Sequence, residues 1–303
     1  MSDAPMHTAL PRSRATYLDW SKLGRASPLH YLLAVVLGFI GWEFGSIPAL
    51  MLMSSDPAQQ RVQFQFSFIL PALIVLLLVR LLLGRPAWTV ALPAWPPRWR
   101  DYLVAIGIGW GVMLTLLLAT LAFMPGFELS FRGWGGMLSG GATLVLMLCA
   151  GFMIQTAFEE LYFRGLLMQA LRRLTRWMPV VLAVQAYVFA SMHAGNLEGF
   201  AASYLTMVPY FVAALYLGWV AWRTGSLIVP MGLHFANNGW NALFVNTRGD
   251  VIVTAAPFIG PPIPLYGFIG YALAQAVLVC CVVEWLMRRR ERRAAGVLGA
   301  PAP

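Results

Sequence analysis

Residues 142–169 read ATLVLMLCAGFMIQTAFEELYFRGLLMQ. The stretch is apolar enough and long enough to cross a lipid bilayer, yet it carries Glu159, Glu160 and Arg164 well inside it. A hydrocarbon core about 30 Å thick is crossed by roughly 20 apolar residues of helix. Each charged group within it costs about 2.5–3.5 kcal/mol on insertion scales. One segment therefore raises both questions about the chain: what kind of fold it has, and why three charges sit where lipid would exclude them.

The rest of the chain answers the first. Of 303 residues, 59% are hydrophobic and 11% charged, with a mean hydropathy of +0.70, whereas soluble domains carry about 25% charged residues. The apolar residues fall into eight blocks, near 30–53, 63–84, 102–124, 142–169, 178–193, 204–222, 225–245 and 264–287. The fold expected is all-α: a polytopic membrane protein of about eight transmembrane helices. The fifth block is the shortest and the fourth the longest, which points to a tilted or re-entrant arrangement there. Cys149, Cys280 and Cys281 lie inside apolar blocks and suggest neither a disulfide framework nor a cysteine zinc site.

Basic residues give an orientation. Arg12, Arg14, Lys22 and Arg25 precede the first block, Arg85, Arg98 and Arg100 follow the second, and Arg172, Arg173 and Arg176 follow the fourth. Arg223 follows the sixth, and a run from Arg288 to Arg293 follows the last, while the alternate loops hold only Arg61, Arg132 and Arg248. By the positive-inside rule both termini face the cytoplasm. The organisation expected is a polar cytoplasmic leader (1–28, disordered or lying on the surface, with no signal-peptide apolar core), a membrane domain (29–287) and a basic cytoplasmic tail (288–303). The net charge of +9 sits in short clusters beside the spans, so anionic lipid rather than nucleic acid is the expected partner. A bacterial inner membrane suits such a chain. The glycine-rich stretch FRGWGGMLSGG (131–141) reads as a flexible connector.

The misplaced polar residues answer the second question. Glu160 and Arg164 stand four apart on one helix face, in the order that favours an ion pair. Glu159 points about 100° away, free to address a cavity. His193 ends the fifth block, and His234 in the seventh has Asn237 and Asn238 three and four residues on. An Asn pair in an apolar helix also serves as glue between helices, but satisfying all these groups separately against lipid is implausible, and one polar intramembrane cavity accommodates them together. In such a cavity Glu159, with His193 beside it, deprotonates a water for attack on a carbonyl carbon. His234 and Asn238 supply donors to the resulting oxyanion, and Glu160, Arg164 and Asn237 support the site. Glu43, deep in the first block, has no assigned role.

Other intramembrane protease chemistries lack their motifs: there is no H-E-x-x-H, no G-x-S-G and no G-x-G-D. The segments EELYFR (159–164), FASMH (189–193) and HFANN (234–238) resemble the ordered motifs E-E-x-x-x-R, F-x-x-x-H and H-x-x-x-N of the CAAX protease and bacteriocin-processing family, which includes the type II CAAX prenyl endopeptidases. The motif core spans about 155–245. The resemblance implies an all-helical intramembrane endopeptidase, glutamate-dependent, with Glu159, His193, His234 and Asn238 as its catalytic set and a membrane-associated protein or peptide as substrate. Removal of a C-terminal tripeptide from a prenylated protein belongs to one branch of the family and is not carried over. Three alternatives stay open: a zinc-dependent form with Glu159, His193 and His234 as ligands, the metal-free form being preferred; a proton-coupled transporter; and a non-catalytic bacteriocin-immunity or membrane-binding protein.

One geometric tension remains. Counted from the loops at 1.5 Å per residue, His193 lies about 24 Å deep, Glu159 about 20 Å and His234 about 16 Å. A shared site then requires LLMQALRRLTRW (166–177) to lie as an amphipathic segment on the cytoplasmic surface, with the site side chains within about 8 Å of one another.

Overall fold

The structure, a computed structural model, describes residues 16–55, 63–133, 141–194, 204–247 and 256–297. Each of the eight apolar blocks is helical: α1 (Pro28–Met51), α2 (Gln65–Leu82), α3 (Trp99–Phe123), α4 (Val145–Leu174), α5 (Met178–Ser191), α6 (Tyr204–Thr224), α7 (Ile228–Leu243) and α8 (Leu265–Val297). Six are long and apolar enough to cross a membrane, while α5 is apolar but only 14 residues long and α7 has 16. The chain is a polytopic, nearly all-helical membrane protein. Small strands β1 (Ser130–Phe131), β2 (Val245–Thr247) and β3 (Phe258–Gly260) pair in the order β1-β3-β2. The connector 134–140 lies outside the described residues.

Burial ranks the helices. Half of α4 is enclosed, against 22% for α1, α3 and α8, and 11 of the 16 residues of α7 are buried, so α4 and α7 form the interior while α1, α3 and α8 give much of their surface to lipid. Leu29, Leu32, Phe44, Leu103 and Val277 point outward, as expected where the solvent is itself apolar. Glu43 is exposed, two residues before the end of the Pro28–Gly45 helix.

Helices α3 and α7 pack so closely that only glycine fits between them. A Cβ on Gly232 would lie 2.6 Å from the Tyr102 carbonyl oxygen and 2.8 Å from the Ala105 Cβ, and one on Gly109 would lie 2.5 Å from the Ala236 Cβ. Small residues let helix backbones meet in this way, and the Trp110 Nε1 donates to the Ala236 carbonyl across the same seam at 3.1 Å. Since α7 carries His234, this contact fixes the depth of one side of the site. Gly232→Val is expected to destabilise the protein by about 1–3 kcal/mol through overpacking against backbone, read as a lowered thermal midpoint in detergent.

Three expectations change at the end of the bundle where α4 stops. First, 166–177 is not a surface-lying segment. The helix runs on to Leu174, and Leu166, Met168 and Gln169 are fully buried. The apolar face meant for lipid headgroups is covered instead by α1 and by a 3-10 turn at Tyr17–Lys22. Second, that turn belongs to the expected leader, in which Tyr17, Leu18, Trp20 and Ser21 are buried while 1–15 lies outside the described residues. The Tyr17 hydroxyl donates to the Arg164 carbonyl at 2.8 Å, and Gln169 Nε2 donates to the Tyr17 carbonyl at 2.8 Å.

Third, Arg85 is not a headgroup-level charge. It is fully buried, its Nη2 bonded to Gln169 Oε1 and its guanidinium 5.8 Å from the Tyr31 ring. Burial pushes its pKa down. Residues 85–92 fold inward to join the other segments: the Thr89 carbonyl accepts from Gln169 at 3.0 Å and the Ala91 carbonyl from Leu227 N–H at 2.8 Å. The basic tail starts as a continuation of α8, which runs to Val297. Its arginines pair with carboxylates, Arg288 with Glu284 at 2.8 Å and Arg290 with Asp101 at 2.7 Å.

The depth tension dissolves in this arrangement. Glu159 precedes the end of α4 at Leu174 by fifteen residues, and His193 follows the start of α5 at Met178 by fifteen. Two helices leaving one tight turn thus bring both residues to about the same height. The start of α7 is itself sunk into the protein, where Leu227 lies against Gly165. Seven residues further along α7 is His234, and six residues back along α4 is Glu159.

Candidate active site

The site begins where α4 changes pitch. Gly141–Glu159 is α-helical, Glu160–Leu167 is a π-helix and Met168–Leu174 is α-helical again. Wide π-turns recur at functional sites because they redirect side chains and release backbone groups from the regular ladder. Here the Arg164 carbonyl within the turn takes the Tyr17 hydroxyl. Gly165 lets the turn approach Val90, whose carbonyl oxygen would lie 3.0 Å from an added Cβ.

The imidazole of His234 bridges both carboxylates. Its Nδ1 donates to Glu160 Oε1 at 2.9 Å, and its Nε2 lies 3.5 Å from Glu159 Oε2. Glu160 Oε1 also accepts from Arg164 Nη1 at 3.0 Å, both side chains being fully buried. The expected Glu160–Arg164 pair is thus present, but the two glutamates are not divided between separate faces: adjacent carboxylates reach opposite edges of one ring. Glu159 is 3% exposed. Its Oε1 accepts from Gln155 Nε2 at 3.0 Å, one turn earlier, whereas its Oε2 has no hydrogen-bond partner among the described residues. Glu160 Oε2 and Arg164 Nε and Nη2 are likewise unpartnered. Buried polar atoms of this kind call for an explanation, and a site that receives water and a polar substrate supplies one.

Aromatic rings set the remaining groups. The Arg164 guanidinium lies over the Phe189 ring at 4.5 Å, a stabilising cation–π placement. His193 stacks between Phe189 at 4.2 Å and Tyr210 at 4.9 Å, and its Nδ1 lies 2.8 Å from the Phe189 carbonyl. A carbonyl only accepts, so Nδ1 carries the proton and Nε2 is left as the acceptor. Phe189 also meets the His234 ring edge-on at 6.1 Å. The imidazole in direct contact with Glu159 is that of His234, and His193 is near enough to interact electrostatically with the same carboxylate. On α7, Asn237 Nδ2 donates to Asn238 Oδ1 at 3.3 Å, and Gln275 Nε2 of α8 donates to Asn237 Oδ1 at 3.2 Å.

Residues 141–240 match the family model of the type II CAAX prenyl endopeptidase Rce1-like proteins. That range holds Glu159, Glu160, Arg164, His193, His234, Asn237 and Asn238, so the resemblance carried by the three motifs and the family match concern one stretch of chain. The family is one of proteases, and the chain is similar to it over about a third of its length. An uncharacterized protein, YyaK, of Bacillus subtilis (strain 168) is 27% identical over 180 residues, 58% of this chain and 58% of that protein. The chain therefore matches little more than half the length of this curated relative. No solved structure matches it.

Two residues at the site were not anticipated. Gln155 was legible only as a glutamine four residues before a glutamate, a spacing that pairs side chains on any helix. Gln275 is a lone amide in an apolar span far from every motif, and nothing in the sequence ties it to Asn237. Among the described residues no three His, Cys, Asp or Glu side chains come together so as to hold a metal ion.

Proposed function

We propose that this protein is an intramembrane endopeptidase in which Glu159 activates water for attack on a peptide bond of a membrane-associated protein or peptide. The observation that carries the reading is the inequality of the two glutamates. Glu160 is committed to Arg164 and His234, whereas Glu159 presents a buried, unpartnered Oε2 at the same imidazole. A carboxylate with one anchored oxygen and one open oxygen is the arrangement a general base requires.

In the proposed reaction, water donates to Glu159 Oε2 and to the bare Nε2 of His193. Glu159 takes its proton as the oxygen attacks the scissile carbonyl carbon. The carbonyl π electrons move onto oxygen, and this oxyanion accepts from His234 Nε2–H and Asn238 Nδ2–H. Glu160 accepts the His234 Nδ1–H, and the ring donates from Nε2 as well only as the doubly protonated imidazolium held between the two carboxylates. Collapse of the intermediate breaks the C–N bond, and Glu159 returns its proton to the leaving amine. The products are a new carboxyl terminus and a new amino terminus. The basic helix ends fit a bacterial inner membrane with both termini cytoplasmic.

The amide chain on α7 and α8 has a place in this reading. Gln275 donates to Asn237 and Asn237 to Asn238, so the Asn238 carbonyl oxygen is occupied and its Nδ2 is presented as a donor. Gln275→Leu is expected to lower kcat about tenfold with KM little changed. Gln275→Glu, unable to donate when ionised, behaves likewise, while Gln275→His retains most of the rate. Equal kcat for Gln275→Leu and wild type would remove the relay from the mechanism.

The function itself is tested in cells carrying wild type or Glu159→Gln at matched abundance, by comparing the C-termini of membrane-associated peptides. Termini present only with wild type support proteolysis and name the substrate. Identical profiles with both proteins folded favour a binding or immunity role.

A further inference from the structure

At the end of the bundle where α4 stops, away from Glu159, lies a cavity of about 180 Å³ lined by Lys22, Arg172, Arg173, Asp19, Met178 and Trp222, among others. Three of those side chains are cations and one is an anion. Asp19 is already engaged, its Oδ2 accepting from Thr16 N and Oγ1 and its Oδ1 from Lys22 at 2.9 Å. Among the described residues neither Arg172 nor Arg173 forms an ion pair. Arg172 Nη1 donates to the Thr175 carbonyl and Arg173 Nε to the Ala26 carbonyl, which anchors both chains and leaves further N–H groups of each guanidinium. The hollow thus has fixed, excess positive charge.

Its walls are the Tyr17–Lys22 turn and three helix ends: the last turn of α4, the first residue of α5 and the last turn of α6. Trp222, which lines it, is exposed, as are Leu174 and Trp177, next in sequence to the lining residues Arg173 and Met178. Exposed tryptophan beside leucine at the ends of spanning helices is the composition of the bilayer interface. Basic pockets between such helix ends bind anionic lipid headgroups, and guanidinium matches phosphate oxygens through paired N–H donors. We propose that this cavity is a binding site for the phosphate group of an anionic phospholipid, with the acyl chains lying along Leu174, Trp177 and Trp222. One wall is the Tyr17–Lys22 turn, whose Tyr17 holds the Arg164 carbonyl. A lipid bound there pins the turn that braces the π-helix of α4.

The test uses the full chain purified in a non-ionic detergent, with native mass spectrometry reading bound lipid and thermal unfolding reading stabilisation. The probes are dioleoyl phosphatidylglycerol, dioleoyl phosphatidylcholine and inorganic phosphate. Phosphatidylglycerol is expected to bind in preference to phosphatidylcholine, and the double variant Arg172→Gln/Arg173→Gln to bind it about 30-fold more weakly. Arg172→Lys/Arg173→Lys, which keeps the charge but loses the paired N–H donors, is expected to fall between the glutamine variant and wild type, whereas Arg292→Gln/Arg293→Gln, which removes the same charge from the tail, is expected within about threefold of wild type. If the glutamine double variant does not fold, Lys22→Gln carries the test with an expected loss of about fivefold. Equal weakening by the cavity and tail variants reduces the effect to diffuse attraction and overturns the site. Equal affinity for the two lipids does the same, and full stabilisation by inorganic phosphate overturns the assignment to lipid.

Discussion

Replacing Arg164 with leucine is expected to destabilise the protein by roughly 3–5 kcal/mol, because it leaves Glu160 buried without its cation. Both side chains are fully enclosed. Outside the membrane a stranded carboxylate can turn to water; here Glu160 is fully buried. The loss also removes the guanidinium from the Phe189 ring, on which His193 is stacked. Typical stabilities are about 5–15 kcal/mol in total, so the single variant accumulates poorly and unfolds at much lower denaturant. The double variant Glu160→Leu/Arg164→Leu is expected to be less damaged than the single changes added together, since removing both charges strands neither. Unfolding of the four proteins in mixed detergent micelles measures this directly. A single variant within about 1 kcal/mol of wild type would mean that the pair does not hold the π-helix together.

The second large effect is on chemistry rather than stability. Glu159→Gln keeps the shape of the side chain and its Oε1 contact with Gln155 but removes the basic oxygen, and is expected to lower the rate by about 10²–10⁴-fold. Stability should change little, because the oxygen that is altered makes no hydrogen bond among the described residues. Glu159 and Glu160 are adjacent in sequence and equally acidic as amino acids; it is the environment that gives one a structural and the other a chemical task. Arg164→Leu therefore loses activity by losing the fold, and Glu159→Gln loses it with the fold intact. Comparing activity per folded molecule separates the two.

Hydropathy alone delivered the eight helical segments, because each needs a run of apolar residues and little else. It also made Glu159, Glu160, Arg164, His193, His234 and Asn238 conspicuous, since polar groups are costly in lipid. It misplaced residues whose polarity is ordinary in a loop. Arg85 read as a headgroup-level charge and Tyr17–Lys22 as part of a polar leader; both are buried by contacts with Gln169 and the π-helix, a tertiary fact with no periodic trace. The surface placement of 166–177 failed for a related reason. An amphipathic pattern says that one face is covered, without saying whether lipid or protein covers it. The contact of His234 with both glutamates is likewise a tertiary fact that leaves no sign in composition.

The most direct test of the central claim is hydrolysis by purified protein in lipid nanodiscs, using a peptide that spans a cleavage site found in cells. Wild type, Glu159→Gln and Glu159→Asp are compared under single-turnover conditions, with thermal midpoints measured on the same samples. The account predicts that Glu159→Gln is slower by about 10²–10⁴-fold at an unchanged midpoint, and that Glu159→Asp retains a measurable fraction of the rate. Cleavage by folded Glu159→Gln at the wild-type rate would contradict it, and would move the chemistry to another group or out of this protein.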